Sequence, residues 1–360
     1  MLSYRGDASS IDPPWQTDEL LFEIHAMNTR PVLITGAGGY LGSQLLAALV
    51  SGKVEARRIV AVDVGDISAH RRLPGVEYYR ADIRSAELTE LFKSRMPEVV
   101  VHLASIVTPG KHSNREFEYS VDVLGTENVL KACLAAGIKK IIVTSSGAAY
   151  GYHPDNPAWI TEDWRLRGNE TFAYAHHKRL VEEMLSRWRI EHAELQQVVL
   201  RVGIILGETV HNQITDLFEK PLLLAIRGSD SPFVFIWDQD VVGSILHAIS
   251  TDKTGIYNVA GDGALTIFEI AARLGKRCVA LPAGLIRAAL ATLKMLHLTQ
   301  YGPEQVDFLR YRPVLDNHRL KHEFGYVPRK TSSEAFDFWR TARDTRDGDK
   351  RDVLPRTVVD

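Results

Sequence analysis

Cysteine is scarce: Cys133 and Cys278 are the only two in 360 residues. That excludes a disulfide framework and makes a reducing compartment the default. Long apolar runs are missing as well; none approaches the roughly 18 residues that a membrane-spanning helix needs. Neither charge is in excess. Lys and Arg number 43 against 45 Asp and Glu, a formal net charge of −2, which argues against a dedicated nucleic-acid or anionic-membrane surface. The first 26 residues are polar and acidic and hold no apolar core of the secretory type. What remains is an ordinary globular composition, 45% hydrophobic and 24% charged, long enough for a sizeable core and two domains. The expectation is a cytoplasmic protein with an N-terminal tail over residues 1–28.

From Pro31 the text becomes regular. Apolar runs at 31–35, 58–63, 76–80, 99–103, 140–145 and 197–205 read as strands. Helical patterns at 41–51, 88–94, 117–136 and 173–189 separate most of them. Strands alternating with helices predict a parallel sheet covered on both faces, and continuous apolar runs fit that burial. The fold class is therefore α/β: a doubly wound parallel sheet of the Rossmann type over 29–206, rejoined by 232–254. Residues 207–231 and 255–338 read as a smaller substrate-capping region, and 339–360, dense in both charges, as a C-terminal tail.

The run Thr35-Gly-Ala-Gly-Gly-Tyr-Leu-Gly42 follows the first strand and opens the first helix, with glycines at 36, 39 and 42. Glycine allows the tight turn, the close approach of backbone to a pyrophosphate, and close packing of helix on strand. The helix start then offers free N–H groups to phosphates. Asp63 ends the second strand, 21 residues after Gly42. That is near the offset at which a carboxylate meets the adenosine ribose hydroxyls, and a carboxylate there repels a 2′-phosphate, so the cofactor expected is NAD.

Tyr174 and Lys178 stand four apart within a helical pattern and so share a face. A phenol is a poor base at neutral pH, and an ammonium beside it favours the phenolate. Such a pair can exchange a hydroxyl proton while hydride moves at carbon. Ser146 lies at the carboxyl end of the fifth strand, where ligands of parallel α/β sheets bind, and is placed to hold the reacting oxygen. Ser145 is expected to point back into the fold. No metal site is expected: His318 and His322 are four apart, but no third ligand accompanies them. His176 and His177 are read as rim residues, and the apolar stretch Leu285 to Leu298 as dimer or core packing.

Taken together, these residues resemble the extended short-chain dehydrogenases/reductases, the group of NAD-dependent sugar epimerases and dehydratases and 3β-hydroxysteroid-type dehydrogenases. The likeness runs from about residue 30 to 338. Besides the glycine turn it rests on Asp82-Ile83, His102-Leu-Ala-Ser105, Gly125-Thr-Glu-Asn-Val129, Ser145-Ser146, Tyr174/Lys178 and Leu200-Arg201. The resemblance implies a catalytic trio of Ser146, Tyr174 and Lys178, with Tyr174 and Lys178 also at the cofactor. It implies a pyrophosphate turn of Gly36, Gly39, Tyr40, Leu41 and Gly42, and an adenine clasp of Asp82 and Ile83. Leu103, Ala104 and Ser105 would run beside the cofactor. A homodimer through the helices near 117–136 and 173–189 is implied too.

Several positions depart from the family pattern: the usual proline near Arg201 is missing, and Trp237-Asp-Gln-Asp240 keeps only Asp240 of the common paired aspartates. Asp122 stands where the family usually has asparagine, and Arg201 is followed by Val202, Gly203 and Ile204 where many sugar-nucleotide enzymes read Arg-x-x-Asn. The function expected is NAD-dependent hydride transfer at a hydroxyl or carbonyl carbon of a small, fairly apolar substrate. The alternatives are a nucleotide-sugar epimerase or dehydratase, and a non-catalytic dinucleotide-binding regulator.

Overall fold

The computed structural model describes residues 31–353, apart from 53–57, 108–112, 231, 297, 299–301 and 304; the expected tail over 1–28 lies outside the described residues. In chain order the first half comprises β1 (Val32–Thr35), α1 (Tyr40–Ser51), β2 (Ile59–Asp63), β3 (Val76–Arg80), α2 (Leu88–Arg95) and β4 (Val99–His102). Then come α3 (Arg115–Tyr119), a π-helical segment (Ser120–Gly125), α4 (Thr126–Ala135), β5 (Lys140–Ser146), α5 (Ala173–Glu191) and β6 (Gln196–Val202). The second half holds β7 (Ile204–Leu206), α6 (Gln213–Glu219), β8 (Leu222–Ile226), β9 (Phe235–Trp237), α7 (Asp238–Ser250) and β10 (Gly255–Val259). It ends with α8 (Ile267–Arg273), β11 (Arg277–Leu281), α9 (Ala283–Met295), α10 (Gln305–Arg310) and α11 (Ser332–Val353).

Seven strands form one parallel sheet in the order β10-β6-β5-β4-β1-β2-β3. The strand order reverses between β1 and β4, and this switch point opens a crevice at their carboxyl ends. Neighbouring residues of one strand feed opposite cores. Ile34 packs with Leu45 of α1 and Val241 and Ile245 of α7, while Leu33 packs with Phe92 of α2, Leu130 of α4 and Leu185 of α5. Each fully buried side chain of this kind contributes about 1.5–3 kcal/mol, which is why the apolar runs settle as central strands.

The second lobe departs from expectation in three places. The sixth run breaks at Gly203, and Ile204–Leu206 leaves the main sheet to pair with Phe235–Trp237. The segment 232–254 packs on the central sheet through α7, whose Val241, Val242 and Ile245 share a core with Val32 and Ile34. The strand that extends the sheet beyond β6 is β10, of mixed polarity, in the segment expected to belong to the capping region. Residues 207–231 contain β8, which pairs in parallel with β11. Finally, α11 runs through the segment read as a tail from 339, because Ala335, Phe336 and Trp339 form its apolar stripe and are buried against Phe218, Phe233 and Phe235. Helix α9, by contrast, is largely exposed: Ile286 is its one buried residue, so core packing does not account for its apolar sequence.

Candidate active site

The glycine turn lies in the crevice at the carboxyl end of β1. Gly36 has φ 73°, and a Cβ there would sit 2.6 Å from the Ala104 backbone nitrogen. At Gly42 a Cβ would sit 2.3 Å from the Gly36 carbonyl oxygen. Both positions admit only glycine, and the chain 103–105 after β4 passes directly over the turn. Gly39 is the N-cap of α1 and leaves the first turn without a side-chain cap. The Asp63 carboxylate is locked beside it, accepting the N–H of Gly38 at 2.8 Å and of Gly65 at 2.9 Å.

Other expected cofactor residues are engaged within the protein. The Tyr40 hydroxyl donates to Asp238 Oδ2 at 2.6 Å, and Gln44 donates to the same oxygen. Burial and that carboxylate push the Tyr40 phenol up, so Tyr40, like Leu41 in the same helical turn, offers a ligand its backbone. Asp82 is clamped by Arg84, whose Nη2 donates to Oδ2 at 2.6 Å and whose backbone N–H donates to Oδ1. The Arg84 guanidinium holds this carboxyl below its usual range. Ile83 is buried and packs onto Gly125, where a Cβ would come within 2.6 Å of its Cδ1.

Ser146, Tyr174 and Lys178 come from two elements that one contact joins. Ser146 ends β5, and its Oγ accepts the Ala148 N–H at 3.2 Å, closing the turn that follows. Tyr174 and Lys178 lie on the first two turns of α5. The Lys178 ammonium donates to the Thr144 carbonyl at 3.0 Å and lies 5.6 Å from the Tyr174 ring centroid. The helix face is thereby pinned to the strand end that carries Ser146. Ser145 points into the fold and donates to Glu182 at 2.5 Å. Glu182 also receives three hydrogen bonds from Arg201, at 3.0 and 2.8 Å from Nε and 2.6 Å from Nη2, and Arg201 Nη1 donates to the Tyr150 hydroxyl at 2.7 Å. This buried network ties β5, β6 and α5 together behind the site.

Beneath the trio lies a polar layer that the sequence reading did not assemble. The Thr126 hydroxyl donates to the Asp122 carbonyl at 2.6 Å, so it accepts from His102 Nε2 at 3.0 Å. His102 Nδ1 therefore accepts from the Thr35 hydroxyl at 2.7 Å. Burial pushes the His102 imidazole down to about 3, and it is neutral. The Asp122 carboxylate accepts from the Ser105 hydroxyl at 3.0 Å and the Ile106 N–H at 2.8 Å, and faces His177 Nδ1 at 3.0 Å. His177 is thus a buried partner of Asp122 rather than a rim residue. Tyr152 and Phe172, on the segment that leads into α5, form an aromatic cluster with Phe308 of α10, with ring centroids 4.9 to 5.8 Å apart. Buried Arg312 stacks on Phe233 at 3.7 Å.

Among the described residues no three His, Cys, Asp or Glu side chains converge as a metal-ligand set, and no helix is long and apolar enough to cross a membrane. A glycine cradle with no room for a Cβ, an uncapped helix start and a carboxylate fixed beside them fit a dinucleotide. The fold and site define a dinucleotide-binding α/β protein. Residues 32–260 match the model of the NAD dependent epimerase/dehydratase family, and the chain belongs to that family. It is an NAD-dependent enzyme by that membership.

Two curated relatives mark the range of likeness. An uncharacterized protein of Mycobacterium tuberculosis, Rv0501, is 27% identical over 316 residues, covering 87% of this chain and 84% of the relative. The UDP-glucose 4-epimerase of Mycolicibacterium smegmatis is 32% identical over 167 residues, 44% of this chain and 50% of that one. Among solved structures, the UDP-glucose 4-epimerase of Thermotoga maritima, determined with UDP-glucose, superposes with a TM-score of 0.67 at 17% identity, covering 88% of this chain and 99% of that one. MoeE5 in complex with UDP-glucuronic acid and NAD superposes with a TM-score of 0.66 at 20% identity, covering 88% and 99%. These superpositions match the fold.

Proposed function

We propose that the chain transfers hydride at a hydroxyl or carbonyl carbon, with Tyr174 as acid/base, Lys178 as its cationic partner and holder of the nicotinamide ribose, and Ser146 as the group that positions the reacting oxygen. The carrying observation is the Lys178–Thr144 bond, which fixes the Tyr174 face of α5 against the end of β5 that bears Ser146. Bound NAD supplies the two-electron acceptor or donor. In the oxidative direction Tyr174 takes the substrate hydroxyl proton, and in reduction it returns one. Gly36, Gly39 and Gly42 with the backbone of Tyr40 and Leu41 hold the pyrophosphate, and Asp63 the adenosine ribose. Asp82, Ile83, Leu103, Ala104 and Ser105 border the adenine and the cofactor's length, Asp82 as an Arg84-paired carboxylate.

The aromatic cluster of Tyr152, Phe172 and Phe308 supports a small, fairly apolar substrate. A nucleotide-sugar epimerase is the second reading, favoured by the M. smegmatis relative named for that activity. Substitution of Tyr174 by Phe tests both. NAD affinity should stay within about twofold while turnover falls by a factor of about 10² to 10⁴, the usual contribution of a positioned acid/base. Unchanged turnover refutes the assignment. Net NADH formation from simple alcohols supports the first substrate reading, and sugar-nucleotide interconversion without net NADH supports the second.

A further inference from the structure

Asp122 is a carboxylate in a place where charge is costly. Its side chain is 3% exposed, within the π-helical segment between α3 and α4. Two of the groups that face it, the Ser105 hydroxyl and Ile106 N–H, belong to the chain that follows β4. The third, His177, precedes Lys178 on α5. Asp122 and Lys178 then line the same small cavity, together with Ala104, Ser105, Thr126 and Thr144. The imidazole in that cavity wall, His102, is neutral. With His102 neutral, Asp122 and Lys178 are the anion and the cation that line this cavity, and His177 faces Asp122 from outside its lining. A neutral amide of the same shape could accept from Ser105 and Ile106 equally well, so the hydrogen bonds alone do not require a charge.

We propose that Asp122 is a charge-setting residue: a fixed anion that biases the nicotinamide end of the site toward the oxidised dinucleotide. This rests on the reading above, which places the nicotinamide ribose at Lys178. The oxidised ring carries a positive charge that the reduced ring lacks, and a buried carboxylate nearby stabilises only the former. In a partly buried site one nearby charge gives a preference on the order of tenfold.

The test is the ratio of dissociation constants, Kd for NADH over Kd for NAD+, by calorimetry in wild type and Asp122→Asn. Both are also measured in a His177→Gln background, whose amide can donate to Asp122 but takes up no proton, so a single charge changes. The ratio should fall about tenfold in both backgrounds. A purely structural role would move both constants by the same factor, and that result, or an unchanged ratio, overturns the proposal. Failure of wild type to bind either form would instead remove the cofactor reading on which it stands. If circular dichroism shows Asp122→Asn unfolded, Asp122→Ser carries the same expectation.

Discussion

The glycine turn permits a test that separates folding from cofactor binding. Gly36 has φ 73°, and an added Cβ would lie 2.6 to 2.8 Å from three backbone atoms of Leu103 and Ala104. Backbone at the end of a central strand cannot step aside. A left-handed conformation costs a non-glycine residue about 1–2 kcal/mol, and overpacking a tight contact costs about 1–3 kcal/mol. Gly36→Ala should therefore lose about 2–5 kcal/mol of stability. Gly39 differs: it has φ −71°, and a Cβ there would meet only the Gly36 carbonyl oxygen, at 3.2 Å. Alanine for glycine at an N-cap costs less than about 1 kcal/mol, but its methyl would stand where a phosphate must approach the helix start. Gly39→Ala should keep its stability and lose NAD affinity by about tenfold or more. Urea unfolding of the unliganded protein and calorimetric NAD titration read the two effects. Gly36→Ala within about 0.5 kcal/mol of wild type, or a Gly39→Ala variant that binds NAD normally, would refute the reasoning.

Two further outcomes follow from the buried groups and the exposed helix face. His102 is held near 3 in the folded protein against 6.5 for a free imidazole. As pH falls below 6.5 the unfolded chain takes up a proton that the folded one refuses, so this residue's share of stability declines by up to about 1.4 kcal/mol per pH unit. The lowered values of His176 and His247 act in the same direction. Urea unfolding at pH 6.5 and 5 should therefore show a loss about 2 kcal/mol larger in wild type than in His102→Gln; equal losses would contradict the burial argument. Phe117, Tyr119 and Leu124 are exposed around the π-helical segment beside α5, and we propose that they form a homodimer face. Light scattering should give twice the chain mass, with Phe117→Glu monomeric; a monomeric wild type rules the dimer out.

The first five strands were legible because central parallel strands are continuous apolar runs, and Val32–Thr35, Val99–His102 and Lys140–Ser146 fall within a residue or so of their expected ends. Edge and lobe elements were not. β10 carries Gly255, Tyr257 and Asn258, a mixed pattern that an edge strand tolerates, and β7 leaves the sheet at a glycine with no change of hydrophobicity to mark it. In α11 dense charge conceals a stripe of only a few apolar residues, which is enough when aromatic partners wait in the second lobe. The helix expected over 117–136 exists, but a π-helical turn that carries Asp122 interrupts it, and no spacing in the sequence marks that turn. At the site, spacing sufficed for the glycine turn and for Tyr174 and Lys178, since one helix or one turn holds each set. The Asp122–His177 pair spans 55 positions and joins two helices, so no local pattern could reveal it.

The central claim is that this crevice holds NAD, with Asp63 on the ribose. Denaturing the freshly purified protein, quantifying the released nucleotides by chromatography, and titrating any empty fraction with NAD and NADP tests it most directly. The account predicts NAD, bound or binding at one per chain, with NADP held at least about tenfold more weakly because the Asp63 carboxylate repels a 2′-phosphate. Bound NADP, or equal affinity for both, would contradict it.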